Sequence, residues 1–329
     1  MRHTSPAETR HARGAELDLS EALGLYRTVR LIRRFEDTVQ SLFQRGEIHG
    51  TTHLYSGQEA VAVGVCSVLE PVDRVAGTYR GHGHALALGV EPQGLLDELL
   101  GRETGVCGGR AGSMNVVDLE HRLIGCFGIV GGSISAATGA ALALKRRGGV
   151  AVAFFGDGAA NQGYFHECLN FAAVFALPVL YVCENNLYGE FTPWEEVTAG
   201  ELRARAETLG IPASTIDGND VLVVREAAAA AVERARAGDG PQFIEALTYR
   251  FVGHSRSDPG RYRKPGELDA WRDRDPIKLA RAALLERFGA DQRAVGEVEE
   301  AVDRQMDAIA ERGLAAPWPR PGAVREFKE

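Results

Sequence analysis

The sequence predicts an α/β fold: an open, mostly parallel sheet with helices on both faces. Two short apolar runs that suit buried strands, residues 150–155 (VAVAFF) and 179–183 (VLYVC), are separated by a segment of helical length, residues 160–175. Parallel strands need such a crossover, and the connection is right-handed in nearly all proteins. The three segments therefore predict one βαβ unit of a larger sheet.

Other segments along the chain alternate in the same way. Helical spacing or helical length is found in residues 17–35, 57–69, 201–210, 221–237, 277–288 and 298–309. Residues 241–249 (PQFIEALTY) predict a further strand, and a polar loop separates it from the last two helices. Residues 1–16 are polar and lack apolar periodicity, which predicts a disordered tail before a single α/β domain over residues 17–329.

The composition is that of an ordinary globular protein. Of 329 residues, 25% are charged and 45% are hydrophobic, and the formal net charge is −8. An acidic balance argues against nucleic acid or an anionic membrane as the main partner, and the apolar runs are too short to span a bilayer. The five cysteines show no CxxC pairing, which indicates reduced thiols in the cytoplasm rather than disulfides or a zinc site.

Polar residues follow both strands of the βαβ unit. Asp157 comes directly after the first strand, and Asn185 and Asn186 come after the second. Because the carboxyl ends of parallel strands meet at one edge of the sheet, these side chains are expected to lie close together there. A carboxylate, an amide oxygen and a nearby carbonyl are the hard ligands that Mg²⁺ prefers, with phosphate oxygens and water completing its shell. The arrangement predicts a magnesium site.

The glycines on either side of Asp157 extend this interpretation. Gly156 and Gly158 let the backbone approach a ligand closely, and a helix that begins near Ala159 would turn its free N–H groups toward an anion. Metal and anion together predict a metal-bound diphosphate. The 26 residues between GDG and NN match the spacing of the thiamine-diphosphate fingerprint, which this stretch resembles.

Six ordered motifs extend the resemblance over residues 20–315, nearly the whole chain. They are HLYSGQEAVAVGV (53–65), YRGHGHALALG (79–89), FGIVGGSISAATGAALA (127–143), GDGAANQGYFHE (156–167), CENNLYG (183–189) and TYRFVGHSRSDPGRYR (248–263). Together they resemble the α subunit of the decarboxylating component of 2-oxo acid dehydrogenase complexes, of the pyruvate and acetoin type. The resemblance implies a thiamine-diphosphate-binding fold, of which this chain would be the half that binds the diphosphate.

The resemblance also implies a role for each residue that matches a family motif. The implied Mg²⁺ ligands are Asp157, Asn186 and the carbonyl of Tyr188. The implied backbone contacts to the diphosphate come from Gly156, Gly158 and Ala159, and the side-chain contacts come from Tyr79, Arg80, Arg250 and His254. The planar fork of arginine suits phosphate. The backbone at Gly128 and Val130 would hold the aminopyrimidine ring, and the implied catalytic residues are His53, His82 and His254.

The resemblance implies a partner as well. In this family the cofactor attacks a substrate carbonyl and acts as an electron sink, while a glutamate activates its aminopyrimidine. This chain has one fingerprint and too little length for a second domain that would carry that glutamate. Glu59 is the one glutamate in a suitable motif, and its place at a helix start favours a packing or capping contact. The resemblance therefore implies a separate β subunit in an α2β2 heterotetramer, a lipoyl acyltransferase as partner, and a small 2-oxo acid or a ketol such as acetoin as substrate.

Residues 111–115 (AGSMN) depart from the family pattern, because Asn115 stands where a histidine is expected. Asparagine forms hydrogen bonds but does not transfer protons near neutral pH. Cofactor binding would be kept, whereas acyl transfer to a lipoyl arm would need another proton donor. Two alternatives therefore stay open: transketolase-like transfer of a two-carbon ketol unit to a carrier protein or other acceptor, and a non-catalytic scaffold subunit.

Three further features have two interpretations each. His82 and His84 have the spacing of some metal sites, but no acidic or Cys partner is suitably placed in the sequence, which favours a structural role for His84. The glycine-rich residues 101–112 fit a mobile loop, with or without ligand contact. Residues 253–267 fit a loop that orders on ligand binding. Its serines Ser255 and Ser257 match phosphorylated positions of some family members, and the sequence does not decide whether they are modified.

Overall fold

A six-stranded parallel sheet forms the centre of the molecule. A computed structural model describes residues 17–320, so the tail predicted for residues 1–16 lies outside the described residues. The strands of the sheet are β1 (Arg74–Thr78), β2 (Leu123–Phe127), β3 (Ala151–Gly156), β4 (Val179–Asn185), β7 (Ala213–Asp217) and β8 (Gln242–Leu247). Their order is β2-β1-β3-β4-β8-β7, and every neighbouring pair is parallel. A short antiparallel pair, β5 (Tyr188–Gly189) and β6 (Thr192–Pro193), follows β4.

Helices cover both faces of this sheet. Those of the described residues are α1 (Leu19–Gln44), α2 (Glu59–Cys66), α3 (His82–Ala87), α4 (Pro92–Leu99), α5 (Gly132–Leu144), α6 (Gly163–Val174), α7 (Trp194–Val197), α8 (Leu202–Glu207), α9 (Val221–Ala237), α10 (Glu267–Asp273), α11 (Pro276–Glu286) and α12 (Gln292–Ala315). Helices α5, α6 and α8 share one apolar core with the sheet, and α1, α2 and α9 share the other. The predicted fold class is thereby confirmed.

The two cores divide the side chains of the central strands between them. Val152 and Phe154 of β3 belong to the core beneath α2 and α9, whereas Ala153 and Phe155 belong to the core beneath α5 and α6. This alternation follows from the pleat, which turns successive side chains to opposite faces. Because both faces are covered, the strand is apolar throughout, as is typical of parallel sheets.

The small-residue helix α2 packs closely against α9, as its composition predicts. All eight of its residues are buried. A Cβ atom on Gly64 would lie 2.6 Å from Cγ1 of Val224 in α9, so only glycine permits this approach of the two helices. The contact positions the residues that precede α2, which belong to the functional site.

Several elements differ from those that the sequence predicts. The βαβ unit around residues 150–183 is present, and α9 matches its predicted range. Strands β1 (RVAGT) and β7 (ASTID) were not predicted, because neither contains a run of large apolar residues. The helix expected over residues 160–175 is shorter: a 3₁₀ turn covers Asp157–Asn161, and α6 begins at Gly163. Gln162 between them is extended, with φ −76° and ψ 142°, which interrupts the helix.

Candidate functional site

A cavity of about 340 Å³ lies at the carboxyl edge of the sheet. It opens beyond the ends of β1, β2, β3 and β4, in the position where α/β sheets bind ligands. The predicted site residues that line it are His53, Tyr79, Arg80, Gly128, Val130, Gly156, Asp157, Gly158, Ala159, Asn186, Tyr188 and His254. Two predicted residues, His82 and Arg250, do not line it. The fold thus brings together residues that are up to about two hundred positions apart in the chain.

Asp157 and Asn186 meet at the floor of the cavity. The backbone N–H of Asn186 donates to Oδ1 of Asp157 over 3.3 Å. The other carboxylate oxygen, Oδ2 of Asp157, and the amide oxygen Oδ1 of Asn186 are buried and have no hydrogen-bond partner among residues 17–320. Buried oxygens are normally satisfied, and this pair suits a hard divalent cation. Burial raises the pKa of Asp157 to about 6, and a bound cation would favour its ionised form.

Tyr188 stands beside this pair in a tight turn. Leu187 and Glu190, on either side of the short strand β5, have positive φ angles of 72° and 57°, a conformation that is uncommon for residues other than glycine. The hydroxyl of Tyr188 donates to Oε2 of Glu267 over 2.9 Å. Tyr188 thus lines the cavity with its hydroxyl engaged by Glu267.

The backbone donors after β3 come from the 3₁₀ turn. Gly158 and Ala159 lie in it and line the cavity, whereas the predicted helix start near Ala159 is wrong. A Cβ on Gly158 would be 3.6 Å from Cα of Gly189, an ordinary van der Waals contact. The turn after β3 and the turn at β5 therefore lie side by side at the cavity.

Two buried arginines give this edge of the sheet a positive potential. Arg80 is 3% exposed and Arg250 is 2% exposed. Arg80 donates to the carbonyls of Leu54 and His254 over 2.9 and 2.6 Å. Arg250 donates to the carbonyl of Glu190 over 2.9 Å, while its Nε and Nη1 have no partner among the described residues. Burial and the neighbouring Arg250 lower the pKa of Arg80 to about 10. Buried cations without a carboxylate partner are costly, which indicates that an anion belongs here.

Two histidines and a tyrosine form a cluster at one wall. The ring of His53 lies 4.6 Å from that of Tyr79 and 4.9 Å from that of His254, centroid to centroid. Burial and the nearby Arg80 lower the pKa of His53 to about 3 and that of His254 to about 4. Both rings are therefore neutral at pH 7 and present hydrogen-bonding groups rather than charges to the cavity.

These depressed pKa values predict that the cofactor-free chain loses stability in acid. Unfolded histidine titrates near pH 6.5, above the folded pKa values, so the unfolded state takes up more protons as the pH falls from about 6.5 toward 4. The free energy of unfolding is expected to decline over this range, and the decline should be shallower in His53→Asn. Urea denaturation at several pH values measures both slopes. The exposed His49→Asn serves as the control, and equal slopes for His53→Asn and wild type would contradict the prediction.

His82 lies behind the cavity wall and is fully buried. Its Nδ1 is 3.0 Å from Oε2 of Glu36, and its Nε2 is 2.9 Å from Oγ of Ser113. Since the carboxylate accepts from Nδ1–H, Nε2 is left to accept from the serine hydroxyl. In the described structure His82 thus holds the segment that contains Met114, which does line the cavity.

A second buried carboxylate holds the glycine-rich loop before Ser113. Glu98 is 1% exposed, and its carboxylate accepts from four backbone N–H groups, those of Cys107, Gly109, Ala111 and Gly112. Residues 101–112 are therefore anchored in this structure rather than free of contacts. No motif identified Glu98, because it follows an ordinary helical pattern in α4.

Two other acidic residues near the site are engaged by neighbours. Glu59 is buried, accepts from the N–H of Gly57 and pairs with Arg33 at 2.5 Å, a buried packing contact, which is one of the two expected alternatives. Glu184, at the cavity floor, accepts from the hydroxyl of Tyr55 and lies 3.0 Å from Nε2 of His84. His84 also stacks on Phe154. Within residues 17–320, no group of three or more His, Cys, Asp and Glu side chains is placed to hold a metal ion.

The loop over residues 253–267 is fastened through Asp258. Its carboxylate accepts from the N–H of His254 over 2.6 Å, the N–H of Gly260 over 2.8 Å and the hydroxyl of Tyr262 over 2.8 Å. This places His254 at the cavity. The backbone of Gly128 and Val130 forms the opposite wall, where the hydroxyl of Tyr164 donates to the carbonyl of Val130.

No helix within the described part of the chain is long and apolar enough to cross a membrane.

Comparison with protein families matches residues 27–321 to the family described as dehydrogenase E1 component. The chain is 42% identical over 311 residues to the α subunit of acetoin:2,6-dichlorophenolindophenol oxidoreductase from Bacillus subtilis (strain 168), with 93% of each chain covered.

Other relatives are pyruvate dehydrogenase E1 component α subunits. That of Porphyra purpurea is 40% identical over 315 residues, which cover 93% of this chain and 92% of the relative. That of Rhizobium meliloti (strain 1021) is 42% identical over 320 residues, which cover 95% and 92%. The chain therefore belongs to the dehydrogenase E1 component family of thiamine-diphosphate-dependent enzymes, and the relatives it is similar to are α subunits of its pyruvate and acetoin members.

Proposed function

We propose that this chain is the α subunit of a thiamine-diphosphate- and Mg²⁺-dependent dehydrogenase that acts on a pyruvate-like 2-oxo acid or on acetoin and passes the acyl group to a lipoyl acceptor. The observation that carries the proposal is a set of buried polar atoms without a hydrogen-bond partner among the described residues: Oδ2 of Asp157 and Oδ1 of Asn186 in the cavity, and Nε and Nη1 of Arg250, whose charge acts on Asp157 although its side chain does not line the cavity. Two unpartnered oxygens near a partly unpartnered guanidinium suit a cation and an anion bound together.

We propose the following roles for the predicted residues. Asp157, Asn186 and the carbonyl of Tyr188 hold Mg²⁺. The backbone of Gly156, Gly158 and Ala159 and the side chains of Tyr79, Arg80, Arg250 and His254 hold the diphosphate. Gly128 and Val130 hold the aminopyrimidine through their backbone, and the neutral His53 and His254 face the substrate. We assign His82 to the support of this wall, because it is fully buried and bonded to Ser113.

When bound, thiamine diphosphate supplies the electron sink for cleavage of the bond next to the substrate carbonyl. The chain's own contribution is to bind and orient the diphosphate. Its two buried arginines provide fixed positive charge that needs no rearrangement during the reaction. The neutral rings of His53 and His254 donate or accept a hydrogen bond at the substrate without adding charge.

A separate β subunit is required to complete this site. Of the carboxylates that line the cavity, Asp157 is assigned to the metal, Glu184 is bonded to Tyr55 and His84, and Glu190 is exposed. No buried carboxylate among these lining residues therefore remains to activate the aminopyrimidine. The rim carries exposed apolar side chains, Ile129 (77% exposed) and Phe191 (51%), which a partner chain would bury. We therefore propose an α2β2 heterotetramer in the cytoplasm, with a lipoyl acyltransferase as its acceptor partner.

The test is to co-express the chain with its β partner and to measure thiamine-diphosphate binding with Mg²⁺, with EDTA, and with neither. Metal-dependent binding and lipoamide-linked turnover of pyruvate or acetoin are the expected results. Turnover of a ketose phosphate alone would favour the transketolase-like alternative. Absence of binding in the assembled pair would overturn the proposal in favour of a scaffold subunit.

Asn115 motivates the alternative, in which a two-carbon ketol unit is transferred to a carrier protein or another acceptor. Asn115 is exposed beside the cavity, and a Cβ on Gly128 would be 3.4 Å from its Oδ1. It thus stands next to the backbone that would hold the aminopyrimidine. A histidine here would add a group that transfers protons near neutral pH.

Asn115→His therefore distinguishes the two functions. If the chain is a dehydrogenase that tolerates Asn115, the variant is expected to raise the rate of lipoamide acylation by about 100-fold, the lower end of the usual range for general acid catalysis, without changing cofactor affinity. Reductive acylation of free lipoamide measures the first quantity, and cofactor titration measures the second. Asn115→Gln, which adds no titrating group, is the control. Loss of ketol transfer in Asn115→His, with no gain in acylation, would support the alternative.

A further inference from the structure

Gln58 is a buried residue of the cavity to which the family motifs assign no role here. It is 0% exposed, lines the cavity, and directly precedes α2. Its backbone is fixed from both sides. Gln58 N–H donates to the carbonyl of Tyr55 over 3.0 Å, and Gly57 has a φ of +102° with its Cβ position 2.1 Å from the carbonyl oxygen of Tyr249. Only glycine fits at position 57. The backbone from which the Gln58 side chain extends is therefore held in one place.

The amide oxygen of Gln58 determines which way the Asn186 amide faces. Nδ2 of Asn186 donates to Oε1 of Gln58 over 3.1 Å. Because an amide oxygen only accepts, this bond turns the NH₂ group of Asn186 toward Gln58 and leaves Oδ1 of Asn186 on the opposite side. Oδ1 is the buried oxygen that has no partner among the described residues. If the Asn186 amide alone were reversed, two amide oxygens would face each other and the metal would meet an N–H donor.

The nitrogen of the Gln58 amide, Nε2, is a hydrogen-bond donor. It is buried and has no hydrogen-bond partner within residues 17–320. Its neighbours in the cavity, Asp157 and Asn186, carry the unpartnered oxygens that suit a metal. An anionic oxygen bound to that same metal is the kind of acceptor that Nε2–H would take in this cavity.

A purely structural amide would be expected to have both of its ends paired with the protein. Among the described residues, the oxygen of the Gln58 amide is paired with a residue of the proposed metal site, and its nitrogen has no partner. We propose that Gln58 is a further cofactor-site residue, whose Oε1 orients Asn186 toward Mg²⁺ and whose Nε2 donates to an oxygen of the diphosphate. This rests on the proposed function, since it assigns a group to the same cavity.

Two substitutions separate the two contacts. Gln58→Glu keeps an acceptor for Asn186 but replaces the donor by a negative charge. With the metal saturating, it is expected to weaken thiamine-diphosphate binding by at least about tenfold, the lower range for a hydrogen bond to a charged group. With the cofactor saturating, its metal affinity should be unchanged or increased. Gln58→Met has a similar length but neither polar group, and it should weaken both affinities by about tenfold.

The measurements are made on the chain assembled with its β partner. Equilibrium dialysis gives the thiamine-diphosphate affinity, and electron paramagnetic resonance of Mn²⁺ gives the metal affinity without reference to activity. Gln44→Met, at an exposed position at the end of α1, is the matched control and should match wild type in both. Circular dichroism of each assembled variant checks that it is folded.

Wild-type affinities for both ligands in Gln58→Met would overturn this inference, and so would loss of metal affinity in Gln58→Glu. If Gln58→Met fails to fold, the two titrations of Gln58→Glu decide the question alone. Failure of the proposed function looks different: the wild-type assembly itself would then bind no thiamine diphosphate with Mg²⁺.

Discussion

Replacing Asp157 by asparagine is expected to reduce metal-dependent thiamine-diphosphate binding by more than about 100-fold and to abolish turnover. Asparagine keeps the shape and the oxygen that accepts from the N–H of Asn186, but it removes the only negative charge that we assign to the metal. A charged contact in a buried site is worth about 3 kcal/mol or more, which corresponds to more than about 100-fold in affinity. The chain itself should remain folded, because Asp157 is a buried carboxylate with one unpartnered oxygen.

Two measurements test this prediction, and the two measured quantities are expected to respond differently. Cofactor affinity at saturating Mg²⁺ should fall, whereas the urea midpoint of the cofactor-free chain should stay the same or rise, since burying a carboxylate without a full set of partners is unfavourable. Asp239→Asn, at an exposed position after α9, is the control for the loss of one negative charge. Asp157→Asn with wild-type cofactor affinity would show that Asp157 does not hold the metal.

Replacing Arg250 by methionine is the second change with a large expected effect. Arg250 is 2% exposed and donates to the carbonyl of Glu190, while its Nε and Nη1 have no hydrogen-bond partner within residues 17–320. We expect the affinity for thiamine diphosphate to fall by about 10–150-fold, which corresponds to a charged hydrogen bond of about 1.5–3 kcal/mol. The cofactor-free chain should become more stable, because a buried cation without a carboxylate partner among the described residues is replaced by an unbranched apolar side chain.

A thermal shift assay separates these effects. Wild type should gain stability when cofactor and Mg²⁺ are added, because they bind the folded state. Arg250→Met should start at a higher melting temperature and gain less at the same cofactor concentration. Arg261→Met, at an exposed position in the neighbouring loop, should behave as wild type. An Arg250→Met chain that melts lower and still gains the full cofactor shift would contradict the proposed role.

The parts of the fold that the sequence predicts well are those with strong local patterns. The strands around Phe154 and Val182 are continuous apolar runs, and α9 has helical spacing and the N-cap Asp220. Strands β1 and β7 have no such pattern. Ala76 of β1 is buried because β2 and β3 lie on either side of it, and a contact of this kind involves residues distant in sequence. The single-domain division stays a prediction.

For the site, the chain alone determined the chemical groups: a carboxylate and an asparagine after adjacent strands, arginines and histidines in recognisable motifs, and glycines where the backbone meets a ligand. Only the tertiary structure decided which hydrogen-bond partner each of these groups has. It placed His82 between Glu36 and Ser113, behind the cavity wall, and it paired Gln58 with Asn186. Hydrogen-bond partners are assigned by distance and direction in three dimensions, and neither is encoded by the spacing of residues along the chain.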